Sequence, residues 1–175
     1  MSVLELDFKK FIEENEHLLA PPVNNKLIFK SKDYIVMVVG GPNKRTDFHV
    51  NQTDEWFYQL KGIAEVNVVD QVTGEFKKIV LSEGKMAMVP GNTPHNPIRH
   101  EGSIGLVVER NRSSEMIDQL RWYCSECKTL VHKVEFNCGN IEIDIKDHIN
   151  AAKENNFKLL ICPECGHQNK TYYED

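Results

Sequence analysis

The chain has 175 residues, of which 41% are hydrophobic and 27% charged, a composition typical of a globular protein with one sizeable core. Its 21 basic and 26 acidic side chains give a net charge of -5, which argues against a nucleic-acid partner because phosphate backbones bind basic patches. No apolar run is long enough to predict a transmembrane helix, and the acidic, amphipathic start lacks the pattern of a signal peptide. We therefore expect a cytoplasmic protein with no membrane partner.

Residues 4–19 are the first predicted element, an amphipathic helix. Apolar side chains recur there at roughly helical spacing, and Pro21-Pro22 is expected to end the helix. These side chains are Leu4, Phe8, Phe11, Ile12, Leu18 and Leu19.

Between residues 26 and 110 the pattern changes to short β-rich runs separated by turn residues. Runs this closely spaced, with no long helical pattern between them, predict a mainly β sandwich or barrel. Residues 70–74 (DQVTG) predict a hairpin turn with glycine at its end. The runs are KLIFKS, YIVMVVGG, EWFYQL, AEVNVV, KKIVL, KMAMVP and SIGLVVER.

Beyond residue 110 the pattern changes again. Residues 111–121 predict a connector with some helical character, 141–145 a short β-like stretch, and 146–157 a helix. We expect two parts: a barrel with its N-terminal helix over residues 1–115, and a small module over residues 116–175 packed on the barrel.

Four of the five cysteines form two Cys-x2-Cys pairs, Cys124 with Cys127 and Cys162 with Cys165. In a reducing compartment such pairs predict a tetrathiolate site for Zn or Fe rather than disulfides. A metal held there would staple the small module. Cys138 stands apart and is expected to be a small buried side chain.

Two histidines and a glutamate indicate the chemistry most clearly. His49 and Glu55 lie in GPNKRTDFHVNQTDEWFYQLKG, and His95 ends GKMAMVPGNTPH. Two neutral imidazoles and one carboxylate leave about three octahedral positions open, which is the ligand set of a non-haem Fe(II) that holds a substrate and O2 together.

The spacing of these segments resembles the two cupin motifs. That resemblance implies a jelly-roll β-barrel whose first motif supplies His49 and Glu55 and whose second supplies His95. Two positions depart from the pattern: Asn51 replaces a frequent additional histidine, and Gly91 is displaced by one residue. The loss of one imidazole favours a three-ligand iron site.

Three more charged residues lie near these ligands in the sequence. Arg45 precedes His49 by four residues and Arg99 follows His95 by four, so strand alternation allows each to share a face with its ligand. An arginine can hold a carboxylate through two hydrogen bonds, and a buried acid such as Glu109 can shuttle a proton. The alternative for each is an ion pair at the mouth of the barrel.

Taken together, these segments are similar to the 3-hydroxyanthranilate 3,4-dioxygenase family in its short bacterial and fungal form. The resemblance spans nearly the whole chain: NNK at 24–26, the two ligand segments, VPGNTPHNPIR, VVER at 107–110, and the WYCSEC and CPECG knuckles. It implies catalytic Fe(II) on His49, Glu55 and His95, and a second Fe or Zn in a rubredoxin-like, structural four-cysteine site.

The same resemblance implies how the other residues act. Arg99 and Glu109 would bind the substrate carboxylate and neighbouring atoms, with Glu55 beside them. Arg45 would lie on the dioxygen side, and Asn25 would reach the site. Glu109 and Arg45 are thus the expected catalytic side chains around the iron.

The implied reaction is extradiol-type opening of the ring of 3-hydroxyanthranilate by O2. Its product, 2-amino-3-carboxymuconate semialdehyde, is a precursor of quinolinate, which links tryptophan and kynurenine catabolism to pyridine nucleotide biosynthesis. We expect a homodimer, because cupins are commonly dimers.

Two other functions are compatible with the ligand set. A different cupin dioxygenase, acting on another small acidic substrate, would keep the three ligands without needing both arginines and Glu109. A non-enzymatic cupin sensor would bind metal but would not consume O2 when a substrate is added.

Overall fold

The computed structural model describes residues 3–19, 24–141, 143–155, 158–170 and 172. The chain begins with helix α1 (Phe8–Asn15) and a 3-10 turn (Glu16–Leu18). This confirms an N-terminal helix, shorter than the predicted 4–19, because Asp7 caps it by accepting a hydrogen bond from the Lys10 backbone nitrogen at 3.0 Å. Pro21-Pro22 lies outside the described residues.

Eleven strands in the described part of the chain form two antiparallel sheets. The five-stranded sheet contains β1 (Asn25–Lys30), β2 (Tyr34–Gly40), β4 (Glu55–Lys61), β7 (Met86–Val89) and β9 (Ile104–Arg110), in the order β1-β2-β9-β4-β7. The six-stranded sheet contains β3 (Phe48–Val50), β5 (Ile63–Val69), β6 (Phe76–Ser82), β8 (His95–Arg99), β10 (Asp118–Tyr123) and β11 (Leu130–Phe136), in the order β11-β10-β3-β8-β5-β6.

The main core lies between the two sheets. Phe57 and Val107 of the five-stranded sheet pack against Val66 and Leu81 of the six-stranded one, each at most 3% exposed. All seven predicted β-rich runs are strands, and the turn after β5 closes with a hydrogen bond from the Gly74 nitrogen to the Asp70 carbonyl at 2.9 Å. The predicted fold class, a mainly β cupin barrel with an N-terminal helix, is therefore confirmed.

Two local predictions after residue 110 are wrong. Residues 118–121 of the expected helical connector belong to strand β10, where Asp118, Leu120 and Trp122 are buried in alternation. The expected β-like stretch at 141–145 runs into helix α2 (Asp144–Glu154), whose Ile145 and Ile149 face the core together. The alternating isoleucines resemble a strand pattern, but Ile143 is 51% exposed, and it is the four-residue spacing of Ile145 and Ile149 that buries one helix face.

The predicted helix over 146–157 is α2, which starts earlier; residues 156 and 157 lie outside the described residues. It packs on Leu120 and Trp122 of β10 and on Leu160, which follows in a 3-10 turn (Lys158–Leu160). Because β10 pairs with β3, residues assigned to the small module continue the barrel sheet. The division at residues 115 and 116 stays a prediction.

No helix in the described ranges is long and apolar enough to cross a membrane.

Candidate functional site

Strand register brings His49, His95 and Glu55 together inside the barrel. His49 of β3 and His95 of β8 are directly paired across the six-stranded sheet, and Glu55 begins β4 in the facing sheet. All three are buried, and one possible ligand atom from each lies within 4.8 Å of the others.

Two stacked turns hold the ends of β4 and β8 at this place. The backbone nitrogen of Gly91 donates to Oδ1 of Asp54 at 2.9 Å, and that of Asn92 donates to the Asn51 carbonyl. A side chain at Gly91 would meet the Gln52 carbonyl oxygen at 2.5 Å, so this close approach requires glycine.

The geometry of His95 and Glu55 fits two neighbouring ligands of one metal ion. Nδ1 of His95 donates to the Thr93 carbonyl at 2.9 Å, which leaves a lone pair on Nε2, 3.0 Å from Oε2 of Glu55. Two ligands at a right angle, with metal bonds of about 2.1 Å, lie about 3 Å apart. Two facing acceptors at this separation need a proton or a cation between them.

Protonation in this cluster follows burial and the neighbouring charges. Burial lowers the pKa of His49, which favours the neutral imidazole that a metal needs. Burial opposes the charged form of Glu55, but His95 and His49 outweigh it and lower the Glu55 pKa to about 2. The pKa of His95 is raised because the Glu55 carboxylate outweighs the effect of burial.

A second buried network adjoins the cluster. Nε2 of His49 donates to Oδ2 of Asp118 at 2.7 Å, and Nε of Arg112 donates to the same oxygen at 3.1 Å. Nη1 of Arg112 also lies 2.6 Å from Oε2 of Glu109, although this ion pair lacks the geometry of a hydrogen bond. Arg112 thus joins the acid that orients His49 to the acid that faces the cavity.

Glu109 lies directly opposite Glu55, on strand β9. Burial and the Glu55 carboxylate raise the pKa of Glu109 to about 8, against the opposing effect of Arg112. An acid with a pKa near neutrality can both accept and donate a proton.

Arg99 is a buried cation, and among the described residues no carboxylate lies within ion-pair distance of it. The residue is 3% exposed, and its Nη1 donates to the Gln59 side-chain carbonyl at 3.3 Å. Burial lowers its pKa to about 10, so it stays charged at neutral pH. A desolvated guanidinium of this kind favours an anionic ligand.

Arg45 is held differently. Its Nε donates to both carboxylate oxygens of the buried Asp47, at 2.9 and 3.1 Å. The Asn96 side chain, adjacent to His95 in sequence, donates to the backbone carbonyls of Arg45 and Asp47 at 2.8 and 2.7 Å. Arg45 is therefore positioned by its own segment, with its charge already balanced.

A cavity of about 600 Å³ opens over these residues. Glu55, Glu109 and Arg99 line its barrel side, and Ile145 and Ile149 of α2 line another wall. This volume lies in the range of small-molecule binding sites. Its other polar and charged lining residues include Asn25, Arg45, His49, His95 and Tyr172.

The four knuckle cysteines form a second cluster. All are free thiols, with Cys124 Sγ 3.6 Å from Cys165 Sγ and Cys127 Sγ 3.5 Å from Cys162 Sγ. Four sulfurs around a tetrahedral ion with bonds of about 2.3 Å lie about 3.8 Å apart, so the spacing fits a tetrathiolate metal. Cys138 is 5% exposed, in agreement with its predicted burial.

The comparisons with known proteins show the family to which the chain belongs. A family model described as 3-hydroxyanthranilic acid dioxygenase matches residues 1–153. The chain belongs to this family. The resemblance noted in the sequence is thereby confirmed for nearly the whole chain.

Several relatives named 3-hydroxyanthranilate 3,4-dioxygenase are identical to this chain at almost half of the aligned positions. The Neurospora crassa protein is 47% identical, over 92% of this chain and 87% of its own. The Brucella anthropi protein is 46% identical, over 91% and 87% respectively. Among solved structures, a cupin-2 domain protein from Shewanella frigidimarina aligns with a TM-score of 0.47 and 20% identity, over 57% of this chain and 92% of that one.

All the residues that the sequence predicts for the barrel site line the same cavity in this dioxygenase family member. Three residues escaped the sequence reasoning: Arg112, Asp118 and Asp47, all adjacent to predicted ones. Asp47 lies two residues before His49, so strand alternation could have placed it on the same face as His49. Asp118 is 69 residues from His49 and lies in a segment predicted to be a connector with some helical character, so no local pattern indicated it.

The path of Arg99 depends on Gly105 of β9. A methyl group at Gly105 would lie 2.4 Å from Nη1 of Arg99 and 3.1 Å from the Tyr58 carbonyl oxygen. We expect Gly105→Ala to lower the free energy of unfolding by about 1–3 kcal/mol, measured by urea denaturation. Gly139→Ala, whose methyl would meet nothing closer than 3.9 Å, is the control. Equal midpoints for the two variants would contradict this account.

Proposed function

We propose that this protein is an extradiol-type, non-haem Fe(II) dioxygenase that opens the ring of 3-hydroxyanthranilate with O2 and yields 2-amino-3-carboxymuconate semialdehyde. Family membership supports the reaction class, and the relatives' names supply the substrate. The observation that carries the proposal is that the His49–Glu55–His95 cluster and Arg99, a buried cation with no ion pair among the described residues, line one cavity.

His49, Glu55 and His95 would hold the catalytic Fe(II). Two imidazoles and one carboxylate suit that ion, and the 3.0 Å separation of His95 and Glu55 fits neighbouring positions on it. When bound, Fe(II) supplies open coordination positions and the redox chemistry that O2 requires. Asp118 would keep His49 in one orientation and one tautomer, as hydrogen-bonded partners of metal ligands do.

The protein's other residues would bind and orient the aromatic substrate. Arg99 would hold its carboxylate and so set the plane of the ring beside the three ligands. Glu109, with a pKa near neutrality, would take a proton from the substrate's ring substituents and return one later. Arg45 would stand at the dioxygen side, and Asn25, which lines the cavity, would complete the polar wall.

The four cysteines would hold a second Fe or Zn, consistent with the sulfur separations.

The exposed Met86 and Met88 side chains, at 59% and 62%, together with the nearby Trp56, give an apolar surface of the kind used by a homodimer. Unpaired thiols suit the reducing cytoplasm, where the product would feed quinolinate formation.

The direct test is anaerobic loading with Fe(II), followed by 3-hydroxyanthranilate and then air. We expect O2 uptake and a near-ultraviolet absorbance from the conjugated semialdehyde, each requiring Fe(II) and substrate. A folded, iron-loaded protein that yields no product would contradict the proposal. O2 uptake with another acidic aromatic compound alone would shift the substrate assignment.

His95→Ala should remove the barrel metal and reduce turnover to background, because two donors cannot retain the ion in an open site. Metal analysis should still find the four-cysteine metal. His49→Ala and Glu55→Ala should behave in the same way, and His17→Ala on the 3-10 turn after α1 serves as the control. Normal metal content and activity in any ligand variant would show that this ligand set is wrong.

Asp118→Asn should weaken metal binding at the barrel site by about 10–100-fold, because a carboxylate that orients a ligand histidine is lost. The measurement is competition of the folded variant with a chelator for Co(II) or Fe(II), under anaerobic conditions. Asp33→Asn, at an exposed position, is the matched control. Unchanged affinity would remove Asp118 from the metal site.

Arg99→Ala should leave the barrel iron bound but raise the dissociation constant for 3-hydroxyanthranilate about 10–100-fold, because a charge-assisted hydrogen bond contributes about 1.5–3 kcal/mol. Arg110→Ala, at an exposed end of β9, controls for the general loss of positive charge. Anaerobic titration separates binding from turnover. Wild-type affinity in Arg99→Ala would exclude the carboxylate contact.

A further inference from the structure

The chain segment that leaves the second cysteine knuckle runs back to the catalytic cavity. We call residues 167–170 and 172 the strap. We propose that the four-cysteine cluster positions Tyr172, through the strap, as a wall residue of the substrate cavity and so contributes to how tightly the aromatic substrate is held. This inference rests on the proposed function, and it gives the four-cysteine cluster an effect on the substrate cavity rather than a purely structural one.

The strap is anchored to both knuckles by Asn169, which is 6% exposed. Its Oδ1 accepts a hydrogen bond from the Ser125 backbone nitrogen, between the first pair of cysteines, at 2.9 Å. Its Nδ2 donates to the Leu160 carbonyl, two residues before Cys162, at 3.0 Å. One side chain therefore joins the two halves of the cluster to the start of the strap.

The second knuckle reinforces this anchor. The Cys162 nitrogen donates to the His167 carbonyl at 2.8 Å, and the Asn169 nitrogen donates to the Leu160 carbonyl at 3.0 Å. These are the bonds of a tight hairpin with the cysteines at its turn. A metal on the cysteines would close the same hairpin, so the strap would leave it in a defined direction.

The other end of the strap is attached to the segment that carries Arg45. The Thr46 hydroxyl donates to the Lys170 carbonyl at 2.6 Å, and Arg45 and Tyr172 form an antiparallel β-bridge. Asn96, adjacent to His95, holds the opposite side of this segment by donating to the Arg45 carbonyl. Contacts therefore extend without a break from the knuckles to the neighbourhood of His95.

Tyr172 stands at the mouth of the catalytic cavity. It lines that cavity and also an outer groove that includes Cys124 and Ser125. The residue is 43% exposed, and Nζ of Lys153 in α2 lies 5.8 Å from the centre of its ring. The strap end and α2 thus form adjoining parts of one wall, and the bridge to Arg45 holds the Tyr172 backbone there.

Thr46→Val tests the contact without altering the cavity lining or the cysteines. We expect faster deuterium uptake at residues 44–46 and 168–172, with both metals retained. The anaerobic dissociation constant for 3-hydroxyanthranilate should rise roughly two- to tenfold, as for the loss of one hydrogen bond. Thr73→Val, which removes an exposed hydroxyl that accepts a hydrogen bond from the Glu75 nitrogen, is the matched control.

Asn169→Ala tests the link to the cluster from the other end. With the four-cysteine metal shown to be retained by analysis, it should also speed exchange at 44–46 and weaken substrate binding. Exchange and affinity equal to wild type in both variants would overturn the inference, and so would faster exchange with unchanged affinity. The hydrogen-exchange measurement needs no substrate. If the wild-type protein fails to bind 3-hydroxyanthranilate, the proposed function is contradicted, but the exchange data still show whether the cluster holds the strap.

Discussion

Buried charge is the constraint on which this structure depends. Glu55, Glu109 and Asp118 are each at most 7% exposed and lie around one point inside the barrel. An uncompensated buried carboxylate costs several kcal/mol, which is comparable to the whole stability of a domain. Arg112 compensates two of these acids, and the two histidines, with the proposed metal, compensate the third. Burial of these carboxylates is therefore favourable only when Arg112 and the histidines lie beside them.

The same balance distinguishes the three arginines around the site. Arg112 faces two acids and Arg45 faces Asp47, so their charges are already matched inside the protein. Arg99 meets a neutral amide instead, at 3.3 Å. A buried cation without an acid is unfavourable in isolation, and binding an anion relieves it. The proposed preference for an acidic ligand rests on this difference between Arg99 and the other two arginines.

Residues beyond 116 contribute directly to the candidate site. Strand β10 supplies Asp118, and helix α2 supplies an apolar wall of the cavity. The small core under α2 consists of few side chains, including Leu120, Trp122 and Leu160. A core of this size would gain stability from the metal proposed for the four cysteines beside the barrel.

Strand alternation and motif spacing were sufficient to predict seven strands, the three metal-ligand candidates and the two cysteine pairs. These features are local, because period-two burial and Cys-x2-Cys spacing are visible within a few residues. Strand β10 was not predicted because its half-buried face carries Gln119 and Arg121 and its buried face includes Asp118. In sequence alone, a buried acid such as Asp118 cannot be told from an exposed loop residue, because the partners that allow its burial lie far away in the chain.

The sequence by itself determined the β-rich barrel, the cluster of His49, Glu55 and His95, and the paired thiols. Only the tertiary structure decided that Arg112 joins Glu109 to Asp118, that no acid of the described residues pairs with Arg99, and that Tyr172 reaches the cavity. The physical reason is the sequence separation between the interacting residues. Ligand spacing is set along one or two strands, whereas compensation of a buried charge is settled by strand register between segments tens of residues apart.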